Sequence, residues 1–315
     1  MRFAPFVAAL AAVACSVAAA HAPYVLQPGQ ITLDSGPDGN TIIFDAPKGL
    51  VVVDTGRHAA HAAAILDRAK AVRKPIVAVV NTHWHLDHTT GNRDIFAAYP
   101  HARLIATKAM AGALQGFLAR SRENAIRRLA DPQLSLEARA QTRRMLAATG
   151  DRRAMVPAKP VTHDATAVLG GRRFELHVAP AAATEADLWL TVPDEHLAVA
   201  GDLVVAPVPF FDTACEAGWR KALAAIGAAR WTTLIPGHGA PMSRADFNRW
   251  RGAFERWLDC ADSDKDAAAC ADGWMRDARG FYTATEEPSA RMLAEAYITQ
   301  IIRAPKAERP PYCAR

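Results

Sequence analysis

Beyond residue 22 the chain has no apolar run approaching the ~20 residues that a membrane-spanning helix needs. Nor does it carry much excess charge. Thirty-seven Lys and Arg face 32 Asp and Glu, a formal +5, with no interleaving of basic and aromatic residues, so no nucleic-acid partner is indicated. No motif recurs at a solenoid-like period. Cysteine is scarce as well: the five present stand beside no histidine in the sequence, which leaves a Cys–His nucleophile without support. Half the residues are apolar and 22% are charged, a balance that excludes a disordered chain, and 315 residues suffice for a sizeable core.

The one strongly apolar segment is N-terminal. Residues 1–22 begin with Arg2, continue through an Ala- and Val-rich stretch and end Ala20-His21-Ala22, the pattern of a cleaved export leader. Cys15 lacks the bulky residue three positions earlier that a lipid anchor uses. The expectation is a periplasmic or secreted protein. Four cysteines remain after the leader. Cys260 and Cys270 flank a polar loop and form the first expected disulfide, which leaves Cys215 with Cys313.

Residues 41–55 predict a hairpin around Pro47-Lys48-Gly49, 57–73 a helix, 75–80 a strand buried on both faces, and 102–107 another strand, with Asn92 capping a short helix after Gly91. From Lys108 to about Gly150 the apolar spacing is helical, with arginines opposite. Strands return over 166–205 and in Trp231–Pro236, separated by a helix near 217–229. Ser243 and Asp246 open a helix carrying Phe247, Trp250, Phe254 and Trp257, and a last helix spans roughly 289–303. Two strand-rich halves around a helical insert predict an α+β fold of two packed sheets with helices outside.

Residues 81–92 read NTHWHLDHTTGN. Two residues apart on an extended segment, His83 and His85 can face one point, while Asp87 and His88, past the strand end, can be turned toward a second. Imidazole and carboxylate together suit zinc. Asp202 after Gly201, and His238 between Gly237 and Gly239, stand at strand ends where they can complete such a site.

With these residues in view, about 30–242 resembles the metallo-β-lactamase superfamily, through Asp54-Thr55-Gly56, the H-x-H-x-D-H run at 83–88, Gly201-Asp202 and Gly237-His238-Gly239. The resemblance implies a four-layer αββα sandwich spanning 23–242, with an insert at about 108–150 and a helical extension, 243–315, packed on the same domain. It places His83 and His85 on a first metal, Asp87, His88 and His238 on a second, and Asp202 between them, with Asp54 supporting the ligands. It further implies a hydrolase in which a metal-activated hydroxide attacks an ester, lactone, lactam or thioester, Asp87 or Asp202 orienting the water or taking its proton. Aspartate at 202, where many β-lactamases carry cysteine, resembles the broader lactonase and thioesterase branch.

One ligand is missing from the pattern. The family's third histidine on the first metal falls in a loop matched here by Ala183-Thr184-Glu185-Ala186-Asp187, with Ala183 in its place. His177 belongs to the preceding strand and Glu185 would require the loop to reorient; His58, His61, His101, His163 and His196 have no spacing that brings them in. The expectation is one tightly held zinc, with a second weak or absent, and a small-molecule substrate. The competing expectation, drawn from the same alanine, is a catalytically lapsed member that binds a ligand or partner. The arginines of the insert, Arg120, Arg122, Arg127 and Arg128, either meet an anionic substrate or form a solvated face.

Overall fold

A computed structural model of the chain describes residues 22–29, 31–32, 36–305 and 308–314; the leader reading for 1–22 falls almost wholly outside them. Two sheets form the centre. The first runs, in spatial order, Tyr24–Gln27, Thr41–Ala46, Gly49–Val53, Ile76–Val80 and Arg103–Ile105. The second runs Met242–Ser243, Thr233–His238, Leu197–Val205, Ala186–Val192, Arg172–Pro180 and Ala165–Leu169.

Alternation along the strands builds the layers. Ile42, Phe44, Val51, Val53 and Val80 point between the sheets and meet Phe174, Leu188, Leu190 and Ile235. Their neighbours Ile43, Val52 and Val79 point outward, where Ile65 of the helix Ala59–Val72 and Ile95 of the helix Asn92–Ala98 cover them. The second sheet is covered by the helices Glu216–Ala228 and Arg244–Ala261, through Trp219, Leu223, Phe247, Trp250 and Phe254. The result is the αββα order expected from the sequence. Truncating one large aromatic of such a core costs about 3–5 kcal/mol.

Those aromatics also hold the backbone near residue 202. The indole N–H groups of Trp219 and Trp250 donate to the carbonyls of Leu203 and Val205 at 2.9 and 3.0 Å. The helix carrying Trp250 starts with the capping box read from Ser243 and Asp246. Both expected disulfides are present, Cys215–Cys313 and Cys260–Cys270.

Several local expectations shift. Asn92 does not cap its helix; Gly91 is the N-cap, and the buried Asn92 amide instead bonds Asn81 Oδ1 and the carbonyl of Ala154, both at 2.7 Å. The insert is three helices, Ala109–Gln115, Phe117–Leu129 and Leu136–Gly150, because Gly116 breaks the first run and Ser135 caps the third. The strand expected to stop at Pro236 runs to His238. Cys260 and Cys270 both lie on helices, Arg244–Ala261 and Ala267–Asp277, so the loop between them is shorter than the sequence suggested. The last helix, Glu287–Tyr297, continues as a π-helical turn over Ile298–Ile302.

Candidate metal centre

The segment after Ile76–Val80 is irregular over 81–85 rather than a continued strand, yet it is clamped from both sides. Asp54 Oδ1 accepts from the Thr82 amide at 2.9 Å, and the Thr82 carbonyl accepts from the Leu188 amide at 2.6 Å. Asp54 holds this post with φ +57°, a left-handed conformation that costs an L-residue energy and recurs at functional sites. His83 and His85 therefore converge, ring centroids 4.5 Å apart. A single helical turn, Leu86–Thr89, then presents Asp87 and His88. Gly39 lies against the His88 ring: a Cβ there would fall 2.2 Å from Cε1.

Asp202 does not end its strand as the sequence suggested. It sits inside Leu197–Val205, at an irregularity in the pairing with Thr233–His238. Gly201, at φ +53°, makes the bend possible, and a Cβ on it would meet Thr82 at 2.5 Å. An extra residue of this kind re-aims the side chain that follows it. Asn40 brings in the last element: its amide N–H donates to Gly237 O at 2.7 Å, and its Nδ2 donates to Pro236 O and Gly239 O at 3.0 and 2.9 Å.

The structure thus brings together all six residues singled out as ligands. Asp87, His88, Asp202 and His238 form one buried group, and His83, His85 and Asp202 a second, with ligand atoms within 4.8 Å in each. His88 Nε2 lies 3.1 Å from Asp202 Oδ1 and 3.2 Å from His238 Nε2, which is 3.0 Å from Asp87 Oδ2. His83 Nε2 and His85 Nδ1 lie 3.5 and 4.0 Å from Asp202 Oδ2.

Hydrogen bonds behind the rings decide which nitrogen faces inward. Thr82 Oγ1 gives its proton to Asp54 Oδ2 at 2.7 Å, so it accepts from His83 Nδ1–H at 3.0 Å and leaves Nε2 with a lone pair. His88 Nδ1–H donates to Asp54 Oδ2 at 2.8 Å, freeing its Nε2 likewise. Thr213 Oγ1 gives its proton to Ala183 O at 2.9 Å and accepts from His85 Nε2–H at 2.9 Å, so His85 presents Nδ1. Such outer contacts fix the tautomer of metal-binding histidines.

Several of the inward-facing atoms lack hydrogen bonds. His83 Nε2 and both carboxylate oxygens of Asp202 are buried without a hydrogen bond among the described residues. A buried carboxylate in that condition is costly unless a cation meets it. The electrostatics point the same way. Burial would lower His88, but Asp202, Asp54 and Asp87 outweigh it and hold the imidazole well above its ordinary value. Burial, with His83 beside it, pushes His85 down to about 3 and keeps it neutral. Asp87 stays well below the usual carboxylate range because His88, His238 and Arg57 outweigh its burial. A neutral His85, an ionised Asp87 and orphaned donor atoms fit a divalent metal, which would take the place of the extra proton that His88 carries without one.

The two groups differ in completeness. Ala183 is buried and offers only its carbonyl, to Thr213. His177 stacks on Trp189 and bonds Asp164 and Thr191, and Glu185 belongs to neither ligand group. Neither replaces the missing imidazole.

Sequence reasoning missed four residues around this centre. Thr213 orients His85, as described. Arg57 lies 3.6 Å from Asp87 Oδ1 and donates from Nε to Pro37 O at 3.0 Å. The buried Asp38 binds the amides of Arg57 and His58 and the His58 ring. Tyr297 Oη donates to Asp212 Oδ2 at 2.8 Å on the wall of a cavity of about 340 Å³ over His85 and Asp87. None belongs to a spaced motif, so no local signal could have found them. Among the insert arginines, Arg122 turns inward to Leu146 O and Thr149 Oγ1, while Arg120, Arg127 and Arg128 are exposed.

A model of the metallo-beta-lactamase superfamily matches residues 35–238, and the chain belongs to that superfamily. The fold recurs in a metallo-beta-lactamase family protein from Thermus thermophilus, at 17% identity and TM-score 0.56, covering 87% of this chain and 91% of that one. The DIM-1 metallo-beta-lactamase shares 16% identity at TM-score 0.53, covering 73% and 91%. The sec-alkylsulfatase Pisa1 from Pseudomonas sp. shares 16% at TM-score 0.55; 84% of this chain is covered, but it spans only 48% of that protein. No curated protein sequence matches.

Proposed function

We propose that the chain is an exported, zinc-dependent hydrolase of small esters, lactones, lactams or thioesters that holds one metal tightly. The observation that carries this reading is Asp202: a buried carboxylate with neither oxygen hydrogen-bonded among the described residues, ringed by imidazoles, three of which have their far nitrogens already committed. Asp87, His88, His238 and Asp202 would hold the tight metal; His83, His85 and a share of Asp202 would hold a weak one or none. Imidazole and carboxylate donors support zinc as the ion. When bound, such an ion supplies an acidified water and polarises a carbonyl.

The protein's own groups do the rest. Asp87, kept ionised by its histidine neighbours and Arg57, would orient the water or accept its proton, with Asp202 as the second carboxylate. Trp84, Leu86, Leu118 and Phe210 give the cavity over the site an apolar lining. Two disulfides and the leader-like residues 1–22 support export to a periplasm or beyond. The division into a 23–242 domain and a 243–315 extension packed on it is supported by the single buried cluster that Trp219, Phe254 and Trp274 share. The structural neighbours share the fold at under 20% identity and choose no substrate.

The test is metal analysis of purified protein together with turnover of chromogenic ester, lactone and cephalosporin substrates, with and without added zinc. One retained equivalent, and zinc-dependent turnover that Asp87→Asn lowers by about 10²-fold or more, is the expected result. Two tightly held equivalents would overturn the metal assignment. Ala183 favours a second reading, a lapsed enzyme whose site serves binding. One retained metal with no turnover on any of the three substrates would decide for it.

A further inference from the structure

The cavity over His85 and Asp87 adjoins a larger one of about 560 Å³, and Trp84, Phe117 and Asp212 line both. Around that junction stand aromatic side chains: Trp84 and Phe117 with centroids 5.2 Å apart, Phe210 and Tyr297 on the metal side, and Tyr312 on the outer side. The Asp212 carboxylate is exposed at this junction, although the residues on either side of it are buried. Tyr297 donates to one of its oxygens, and burial together with the Asp212 charge holds that phenol well above its ordinary range, so it stays a donor.

The charges lining the outer chamber favour a positive guest. Asp212, Glu185 and Glu308 contribute three carboxylates to the outer chamber. Of its two arginines, Arg309 is engaged by Glu216 and by the carbonyl of Ile302, and Arg120 alone has no ion pair among the described residues. On the metal side Arg57 is committed to Asp87 and Pro37 O. Aromatic faces around a carboxylate are the surroundings in which an alkylammonium gains both cation–π and Coulomb energy.

We infer that the Asp212 junction is a subsite for an alkylammonium group carried by the substrate, so that the compound cleaved at the metal is cationic at its other end. Calling the guest a substrate rests on the hydrolase reading, but the subsite itself is defined by binding. The experiment uses the full chain and titrates choline, its uncharged carbon isostere dimethylbutanol, and the anionic dimethylbutyrate, following heat or tryptophan fluorescence. Choline should bind about tenfold more tightly than dimethylbutanol, and dimethylbutyrate most weakly. Asp212→Asn, which keeps an acceptor for Tyr297, should erase the choline advantage, and Phe117→Ala, at a 40% exposed position, should reduce it. Equal binding of the three probes, tightest binding of dimethylbutyrate, or an advantage that survives Asp212→Asn would overturn the subsite. Because the readout is binding, it can fail while turnover stands, or stand while turnover fails.

Discussion

The two halves of the metal centre share one carboxylate and are built to different standards. Around His88 the geometry is closed. Asp87, Asp202 and His238 approach its Nε2 to 3.6, 3.1 and 3.2 Å, and Asp54 holds the ring from behind. Around His83 it is open. His83 and His85 face Asp202 Oδ2 from 3.5 and 4.0 Å, and the buried methyl of Ala183 stands where the resemblance read from the sequence would put a third imidazole. Yet His83 and His85 are oriented as carefully as His88, through Thr82 and Thr213. The lesson is that orientation and affinity are separable: hydrogen bonds behind a ring set where it points, and the number of ligands sets whether an ion stays.

That contrast can be broken at the residue both halves use. If the closed half holds the proposed metal, Asp202→Ala is expected to strip it and lower any zinc-dependent turnover by more than about 10²-fold, read by metal analysis after dialysis; retention of a full equivalent would place the metal elsewhere. The next largest effect runs the other way. Ala183→His should add one metal equivalent by giving the open half its third imidazole, and an unchanged stoichiometry would mean that the missing ligand is not what leaves it open.

Proton linkage sharpens the comparison further. In the metal-free protein the surrounding carboxylates keep His88 protonated at neutral pH, and that proton must leave before Nε2 can bind a metal. Affinity of the closed half should therefore fall as pH falls, by up to about tenfold per unit below neutrality, measured by chelator competition. His85, already neutral down to about pH 3, should add no such dependence to the open half. The smallest effect is expected from Thr213→Val. It removes the acceptor for His85 Nε2–H and should cost the open half about tenfold in affinity while leaving the closed half unchanged.

Much of this was legible in the sequence. Apolar runs in Thr41–Ala46 and Gly49–Val53 mark the strands of a hairpin, and helical spacing from Phe247 to Trp257 marks a covering helix. The H-x-H-x-D-H run names four of the six converging side chains, and the glycines beside Asp202 and His238 flag the other two. What escaped was the supporting set. Thr213, Arg57, Asp38 and Tyr297 act through contacts with residues 128, 30, 20 and 85 positions away respectively, and no periodicity encodes such pairs. Asn92 escapes for the same reason: its local signal is that of a helix cap, but a buried exchange of hydrogen bonds with Asn81 outweighs it.

By itself, then, the sequence determined the layers of the fold and which side chains are chemically able to meet a metal, because apolar periodicity and ligand chemistry are local properties. Tertiary structure alone decided that Asp202 is aimed by a bend inside its strand, which ring nitrogens face it, and that an exposed carboxylate stands among aromatic rings beside the site. Those outcomes depend on backbone strain and hydrogen bonds between segments far apart in the chain, and only the packed sheets bring such segments together.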